Sequence, residues 1–468
     1  MTTAFLSADD IRTMFSRALS EMYQSEAPRY RAMSDLVADV NARALAENPD
    51  LERALVDKGD LDRLSQVRHG AIRVGTASEL FALRRLFAVM GMAPVGYYDL
   101  SDSGLPAHST AFRPITQAAL QANPFRMFAS LLRLDLVRDA ALREEAAAIL
   151  ARRDIFTPRC RKLLDLHDKI GGFDAATARE FVAEALATFR FHRQATTPED
   201  VYRRLFAAHP LIADIVCFNG PHVNHLTLTA LDIDAAQQAL AQRDMAPKAI
   251  VEGPPRRRCP ILLRQTSYKA QPEPVAFKTA DAAAVQGGHA ARFGEIEQRG
   301  AALTARGRSL YDRLLGETLS AVTPASDGSN AKAYGDELAR RFAAFPDDYA
   351  ALRSEKLAFF RYAPTVEGLR HRDESRPETV DELLRRGHAE IEPILYEDFL
   401  PASAAGIFRS NLGGDAAEKP EANPNKAPLE AALGVRVADE IELYRREETL
   451  SLEACILALG VQRKSGLR

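Results

Sequence analysis

Two histidines and a glutamate, each on a segment that reads as a β-strand, are the residues of this chain best suited to chemistry. They are His69 in VRHGAIRVGT, His225 in NHLTLTALDI and Glu295 in ARFGEIEQRG. Two imidazoles and one carboxylate on one face, with the remaining positions open to water or substrate, form the ligand set of non-haem Fe(II) oxygenases. The carboxylate has a rival, because Glu297 shares a strand face with Glu295 while Ile296 points the other way. A carboxylate turned into an apolar interior is costly unless a cation compensates it. A divalent metal compensates most strongly, and Arg292 or Arg299 offers the alternative of a salt-bridged edge strand.

Several polar residues surround this candidate triad. His222 and His225 form an HxxH, but three residues along an extended strand put side chains on opposite faces. His225 begins the regular alternation of HLTLTALDI, with Thr227 and Thr229 on its face, so it is the expected ligand and His222 an outer-shell or entrance group. Arg73 lies four residues after His69, on the same strand face, about 13 Å along at roughly 3.3 Å per residue. An arginine aimed beside a metal suggests a fork for a substrate carboxylate. Pairing with Glu295, Glu297 or Asp99 is its structural alternative. His108, Gln265, Ser267 and Tyr268 stand near expected strands and could complete the pocket.

The elements that must position these residues recur. Residues 67–100 run from the His69 strand through a helical stretch to a Met-Ala-Pro turn and an apolar strand. Residues 224–252 repeat that order from His225, with nearly the same spacing from histidine to Met-Ala-Pro, and the glutamate strand follows. Strand, helix, strand and further strands make a βαβββ module. Two such modules side by side form an incompletely closed barrel whose inward side chains can converge on one metal.

The remaining sequence reads as elaboration of that body. We expect an α+β fold with a helical wrapper over 1–64, a first βαβββ module over 65–137 and a helical insertion over 138–210. A second module spans 211–302, and a mixed helical and strand region over 303–468 completes the site. Ser7 caps an amphipathic first helix, and Thr157, Asp174 and Thr197 are candidate caps in the insertion. ADIVCFNG at 213–220 has the β-branched and aromatic composition of a strand, and 413–428 reads as a mobile polar surface loop. The chain has 468 residues with 61 Lys plus Arg against 64 Asp plus Glu, a net charge of -3, so no global field recruits nucleic acid or an anionic membrane. Its four cysteines are scattered without zinc or redox spacing. Acids in MTTAFLSADDIRTMF, and no apolar run near the roughly 20 residues that span a bilayer, suggest a soluble cytoplasmic protein.

FGEIEQRG resembles the iron-carboxylate strand of 4-hydroxyphenylpyruvate dioxygenase, a vicinal-oxygen-chelate enzyme. Taken with VRHGAIRVGT, YYDLSDSGLPAHSTAFRP, NGPHVNHLT, LLRQTSYKA and YEDFLPASAAGIFRSNLG, it resembles the bacterial 2-oxoadipate dioxygenase/decarboxylase family over nearly the whole chain. That resemblance implies Fe(II) on His69, His225 and Glu295, with Glu297 left in the second shell. It further implies Arg73 on the distal carboxylate of 2-oxoadipate and substrate contacts at Ala402 and Ser403. Alanine at 402 stands where the family commonly has valine, which bears on substrate length. The implied reaction consumes O2, decarboxylates the 2-oxo acid and yields 2-hydroxyglutarate in lysine breakdown, with no side-chain nucleophile. Its rivals are a vicinal-oxygen-chelate isomerase or lyase acting on another oxo acid, which would consume no oxygen, and a non-catalytic metabolite-binding protein, which need hold no metal.

Overall fold

The computed structural model describes residues 4–101, 104–278, 285–325, 327–372, 379–400 and 426–461. Strand β1 (His69–Val74) is followed by the helix Ala77–Val89, then β2 (Ala93–Asp99), β3 (Ala107–Arg113) and β4 (Arg126–Leu132). The helix starts where a capping box dictates: the Thr76 hydroxyl accepts from the Glu79 N–H while the Glu79 carboxylate accepts from the Thr76 N–H. This is the expected βαβββ order. Next come β5 (Gln194–Pro198), β6 (His225–Thr229), the helix Ile233–Gln242, β7 (Leu263–Ser267), β8 (Glu273–Lys278), β9 (Val285–His289) and β10 (Phe293–Arg299).

Seven strands form one open sheet in the order β2-β3-β4-β1-β6-β10-β7. Each histidine strand lies beside the last strand of its own module, β1 parallel to β4 and β6 parallel to β10. The two modules join through the antiparallel pair β1–β6. The first module is complete and the second is reduced. After its Met-Ala-Pro turn the expected strand shrinks to bridges at Pro247 and Glu252, where Asp244 and Ala246 take left-handed backbone angles. Its β8 and β9 leave the main sheet to pair with β5 from the insertion.

Alternation sorts side chains between the two faces of the sheet. Ile72, Val74, Leu226, Leu228 and Ile296 enter the larger apolar cluster together with Phe15, Leu19 and Met33 of the N-terminal helices. Those helices, Ala8–Glu26 and Pro28–Glu47, are also tied to sheet backbone: the Tyr23 hydroxyl donates to the carbonyls of Asn224 and Phe293, and the Asn41 amide to that of Thr229. Gly294 is needed for this close fit, because a Cβ there would lie 2.7 Å from the Tyr268 ring and 2.8 Å from Met33. The opposite face carries residues 69, 71 and 73 of β1, 225, 227 and 229 of β6, and 295 and 297 of β10.

The chain divides into two compact units. The sheet belongs to the first, which comprises Met1–Glu252, Gln265–Gln298 and Phe399–Ala438. The second comprises Gly253–Arg264, Arg299–Asp398 and Asp439–Arg468. It holds helices Ala305–Ala321 and Ala331–Phe342 and the antiparallel pair β11 (Phe360–Pro364) and β12 (Ala389–Pro393), with the helix Glu440–Ala458 bonded to β11 through Glu448 and Ser451.

Three local expectations change. The first half of ADIVCFNG closes a helix, Pro210–Val216, because Pro210 sits in its first turn, the His209 side chain caps it, and burial on all sides erases the periodicity that separates helix from strand. Thr197 lies buried in β5 instead of capping a helix, and Pro198 takes the N-cap position. Residues 413–425 of the expected mobile loop lie outside the described residues, and 426–428 open the helix Lys426–Leu433. Ser7, Thr157 and Asp174 cap their helices as expected, and all four cysteines are buried free thiols. Among the described residues no helix is long and apolar enough to cross a membrane.

Candidate metal centre

Strand register brings the predicted ligands together. Thr227 on β6 stands opposite His69 on β1 and opposite Glu295 on β10, so three strands place three polar side chains in one row. His225 lies two residues back along β6, on the same face. One ligand atom from each of His69, His225 and Glu295 falls within 4.8 Å of the others, and all three residues are buried. His69 Nε2 is 2.9 Å from Glu295 Oε1, and the two imidazole rings meet edge to face at 5.5 Å.

The row is braced from three sides. The Thr227 hydroxyl donates to Glu295 Oε1 at 2.9 Å and lies 3.0 Å from His69 Nε2. The Gln265 amide on β7 donates to the same carboxylate oxygen at 2.8 Å. Glu297 Oε2 comes within 3.0 Å of His69 Nδ1, off the angle of a hydrogen bond, and 3.6 Å separates Glu297 Oε1 from Arg68 Nε. Phe293 stacks on His225 at 4.7 Å, and Phe399 meets the His69 ring edge-on at 4.8 Å. The metal candidates are thus walled by aromatic carbon, while Gln265 and Thr227 orient the carboxylate.

The donor set fits a cation. Among the described residues neither ring nitrogen of His225 has a hydrogen-bond partner, and Glu295 Oε2 has none, although all three atoms are buried. Buried polar atoms ordinarily find partners. Burial holds His225 neutral, its pKa lowered to about 3, with Glu295 opposing that shift. Burial also pushes the Glu295 carboxyl upward, but His225 and His69 override it and hold the group below its usual range. A neutral imidazole with open nitrogens beside an ionised carboxylate is the protonation state a divalent metal requires.

Arg73, by contrast, is already engaged. It projects from β1 on the His69 face and forms a buried ion pair with Asp214 of the helix Pro210–Val216, a partner the sequence did not suggest. Asp214 Oδ1 accepts from His289 Nε2 at 2.8 Å and lies 3.2 Å from His222 Nε2. Burial would raise the Asp214 carboxyl, yet Arg73 and the two histidines hold it well below the ordinary carboxylate value. His222, expected beside the ligands, therefore belongs to this second cluster.

His108 meets Tyr97 edge-on at 6.1 Å on the β2–β3 pair, and Tyr268 packs against Gly294 on the helical side of the sheet. Neither is brought into the triad's described contacts. Ala402 and Ser403 lie outside the described residues. The sequence left Asp214 and His289 unassigned. It placed Thr227 on the right face without giving it a role. Its matching register with both His69 and Glu295 was the signal available.

The model of the 2-oxoadipate dioxygenase/decarboxylase family matches residues 15–411. The chain belongs to that family. It is 53% identical over 458 residues to the 2-oxoadipate dioxygenase/decarboxylase of Pseudomonas putida, covering 98% of each chain. The Escherichia coli 2-oxoadipate dioxygenase/decarboxylase is 51% identical over 451 residues, 96% of this chain and 98% of the relative. In three dimensions the chain is similar to the crystal structure of the Pseudomonas putida hydroxyglutarate synthase in complex with 2-oxoadipate, with a TM-score of 0.89 at 51% identity, covering 98% of this chain and 99% of that one. Family membership gives the three converging strands a chemical setting in which a metal is expected.

Proposed function

We propose that this chain is an Fe(II)-dependent dioxygenase that converts 2-oxoadipate and O2 to 2-hydroxyglutarate and CO2. The observation that carries the reading is the convergence of His69, His225 and Glu295, with His225 nitrogens that no other group satisfies, in a member of the 2-oxoadipate dioxygenase/decarboxylase family. His69, His225 and Glu295 would hold the metal. When bound, Fe(II) supplies the redox chemistry with O2 and polarises the 2-oxo group. The balance closes: six carbons of the diacid become a five-carbon hydroxydiacid and one CO2, and both atoms of O2 are incorporated.

The protein's own work is placement and protection. Thr227 and Gln265 fix the Glu295 carboxylate, so the ligands are oriented before substrate arrives. Arg73 takes the distal carboxylate of the diacid, for which a guanidinium offers a planar, charged fork. Phe293 and Phe399 keep water from the two imidazoles. Ala402 and Ser403 complete the substrate contacts in this reading. Its setting is lysine breakdown in the cytoplasm, and a strain lacking the protein should accumulate 2-oxoadipate when fed lysine.

The direct test loads the protein anaerobically with Fe(II), adds 2-oxo diacids of five to seven carbons, and follows oxygen uptake and products by mass spectrometry. Oxygen consumption with CO2 and 2-hydroxyglutarate from the six-carbon acid is expected. No uptake with any of the acids would overturn the reading.

A further inference from the structure

We infer that Asp214, held by His222 and His289, is the positioning residue that aims Arg73 at the substrate. The inference rests on the reading that Arg73 grips the distal carboxylate. Arg73, Asp214, His222 and His289 come from β1, the helix Pro210–Val216, the segment before β6 and the end of β9, and each is no more than 4% exposed. Arg73 pairs with Asp214 Oδ2, and the Asn224 amide reaches that oxygen at 3.4 Å. Oδ1 faces the two imidazoles, at 2.8 Å from His289 and 3.2 Å from His222. Tyr202 continues the chain, its hydroxyl 3.0 Å from His289 Nδ1. With the His289 proton on Nε2 toward the carboxylate, Nδ1 accepts from Tyr202. Phe218 packs on the His289 ring at 4.6 Å and Phe191 on the His222 ring at 5.1 Å, which fixes both imidazoles.

This arrangement solves a conflict created by the sheet. Arg73 shares a face with Glu295 and Glu297, and a long cationic side chain there would otherwise compete with the metal for their charge. Asp214 supplies a counter-charge from a different element and draws the guanidinium away from the β10 carboxylates. The two imidazole contacts in turn spread the Asp214 charge, leaving Arg73 attraction for a second carboxylate. His222, His289 and Asp214 also have ligand atoms within 4.8 Å of one another, as a metal site would. Here the carboxylate is already neutralised by a buried guanidinium, and a dication would stand beside that cation.

The test compares 2-oxoadipate with 2-oxohexanoate, which has the same chain length and lacks the distal carboxylate. In the Fe(II)-loaded enzyme, Asp214→Asn should lower the diacid-to-monoacid ratio of kcat/KM by about tenfold, chiefly through KM, as loss of a charged hydrogen-bond partner would. Arg73→Met should collapse the same ratio, and adding Asp214→Asn to Arg73→Met should lower it no further. If Arg73→Met leaves the ratio unchanged, the grip itself is wrong. If Arg73→Met lowers it and Asp214→Asn does not, the positioning role is wrong and the grip survives. His289→Gln reads the same quantity should Asp214→Asn fail to fold, with a smaller drop expected and no drop overturning the inference. Wild-type protein should bind one metal per chain, and a second equivalent lost in Asp214→Asn would show a metal site instead.

Discussion

Two buried clusters in this molecule have the same inventory, two histidines and one carboxylate with ligand atoms inside 4.8 Å, yet they are built for different work. Around Glu295 no cationic side chain pairs with the carboxylate among the described ion pairs except through the histidines, and both His225 nitrogens lack partners. Around Asp214 an arginine occupies one carboxylate oxygen and imidazoles face the other. Composition alone does not separate them. The difference is in what remains unspent: the first cluster keeps an imidazole lone pair and a carboxylate oxygen that a cation can take, whereas in the second the carboxylate is already neutralised by Arg73.

The sharpest way to break the comparison is to remove the shared carboxylate from each cluster. Glu295→Gln should lose bound metal and activity by more than the roughly hundredfold that outer-shell changes reach, while Asp214→Asn should keep its metal. Metal content after Fe(II) loading measures both, and equal retention would erase the distinction. Next in size is Arg73→Lys, which keeps the charge and loses the planar fork. A fall of about ten- to a hundredfold in kcat/KM for 2-oxoadipate is expected, with little change for 2-oxohexanoate. An equal loss for both acids would mean that Arg73 shapes the site without touching the diacid's far end.

The two clusters also differ in how far the sequence revealed them. His69, His225 and Glu295 lie on strands whose period-two alternation survives, inside a repeated module, so their common face follows from register. Asp214 sits in a run buried on every side, where a helix and a core strand have the same composition, so its sequence suggests a strand although it folds as helix. His289 ends a strand that left the module to join the insertion's own small sheet, a departure that no local pattern announces. The fold behaves similarly. The first βαβββ module is complete, whereas the second was legible only in its histidine strand, helix and glutamate strand, because left-handed backbone at Asp244 and Ala246, at the Met-Ala-Pro turn itself, interrupts it.

Thr227 sharpens the comparison from the metal side. Its hydroxyl bridges partners 158 and 68 residues away in sequence, His69 and Glu295, so it does for the triad what His222 and His289 do for Arg73's carboxylate. Thr227→Val keeps the volume and removes both contacts. Metal affinity should weaken about tenfold in a chelator competition, within the range for lost outer-shell partners, while the diacid-to-monoacid ratio stays fixed. A changed ratio with unchanged affinity would place Thr227 in the substrate's path.

A change of pH tests the unspent character of His225 directly. In metal-free protein burial holds its pKa at about 3, against 6.5 for an ordinary imidazole. Between those values the unfolded chain takes up a proton that the folded chain refuses. The stability associated with neutral His225 is therefore full above pH 6.5 and is lost as the pH falls toward 3, by at most about 1.4 kcal/mol per pH unit. His225→Gln has no such proton, so the gap in urea unfolding free energy between it and the wild type should shift in the variant's favour as the pH drops. Saturating metal should raise the wild-type stability across the whole window, because His225 in the folded chain is already neutral there. A gap constant across that window in the metal-free proteins would mean that folded His225 takes up its proton as readily as the unfolded chain does, and the contrast between the two clusters would fail at its central residue.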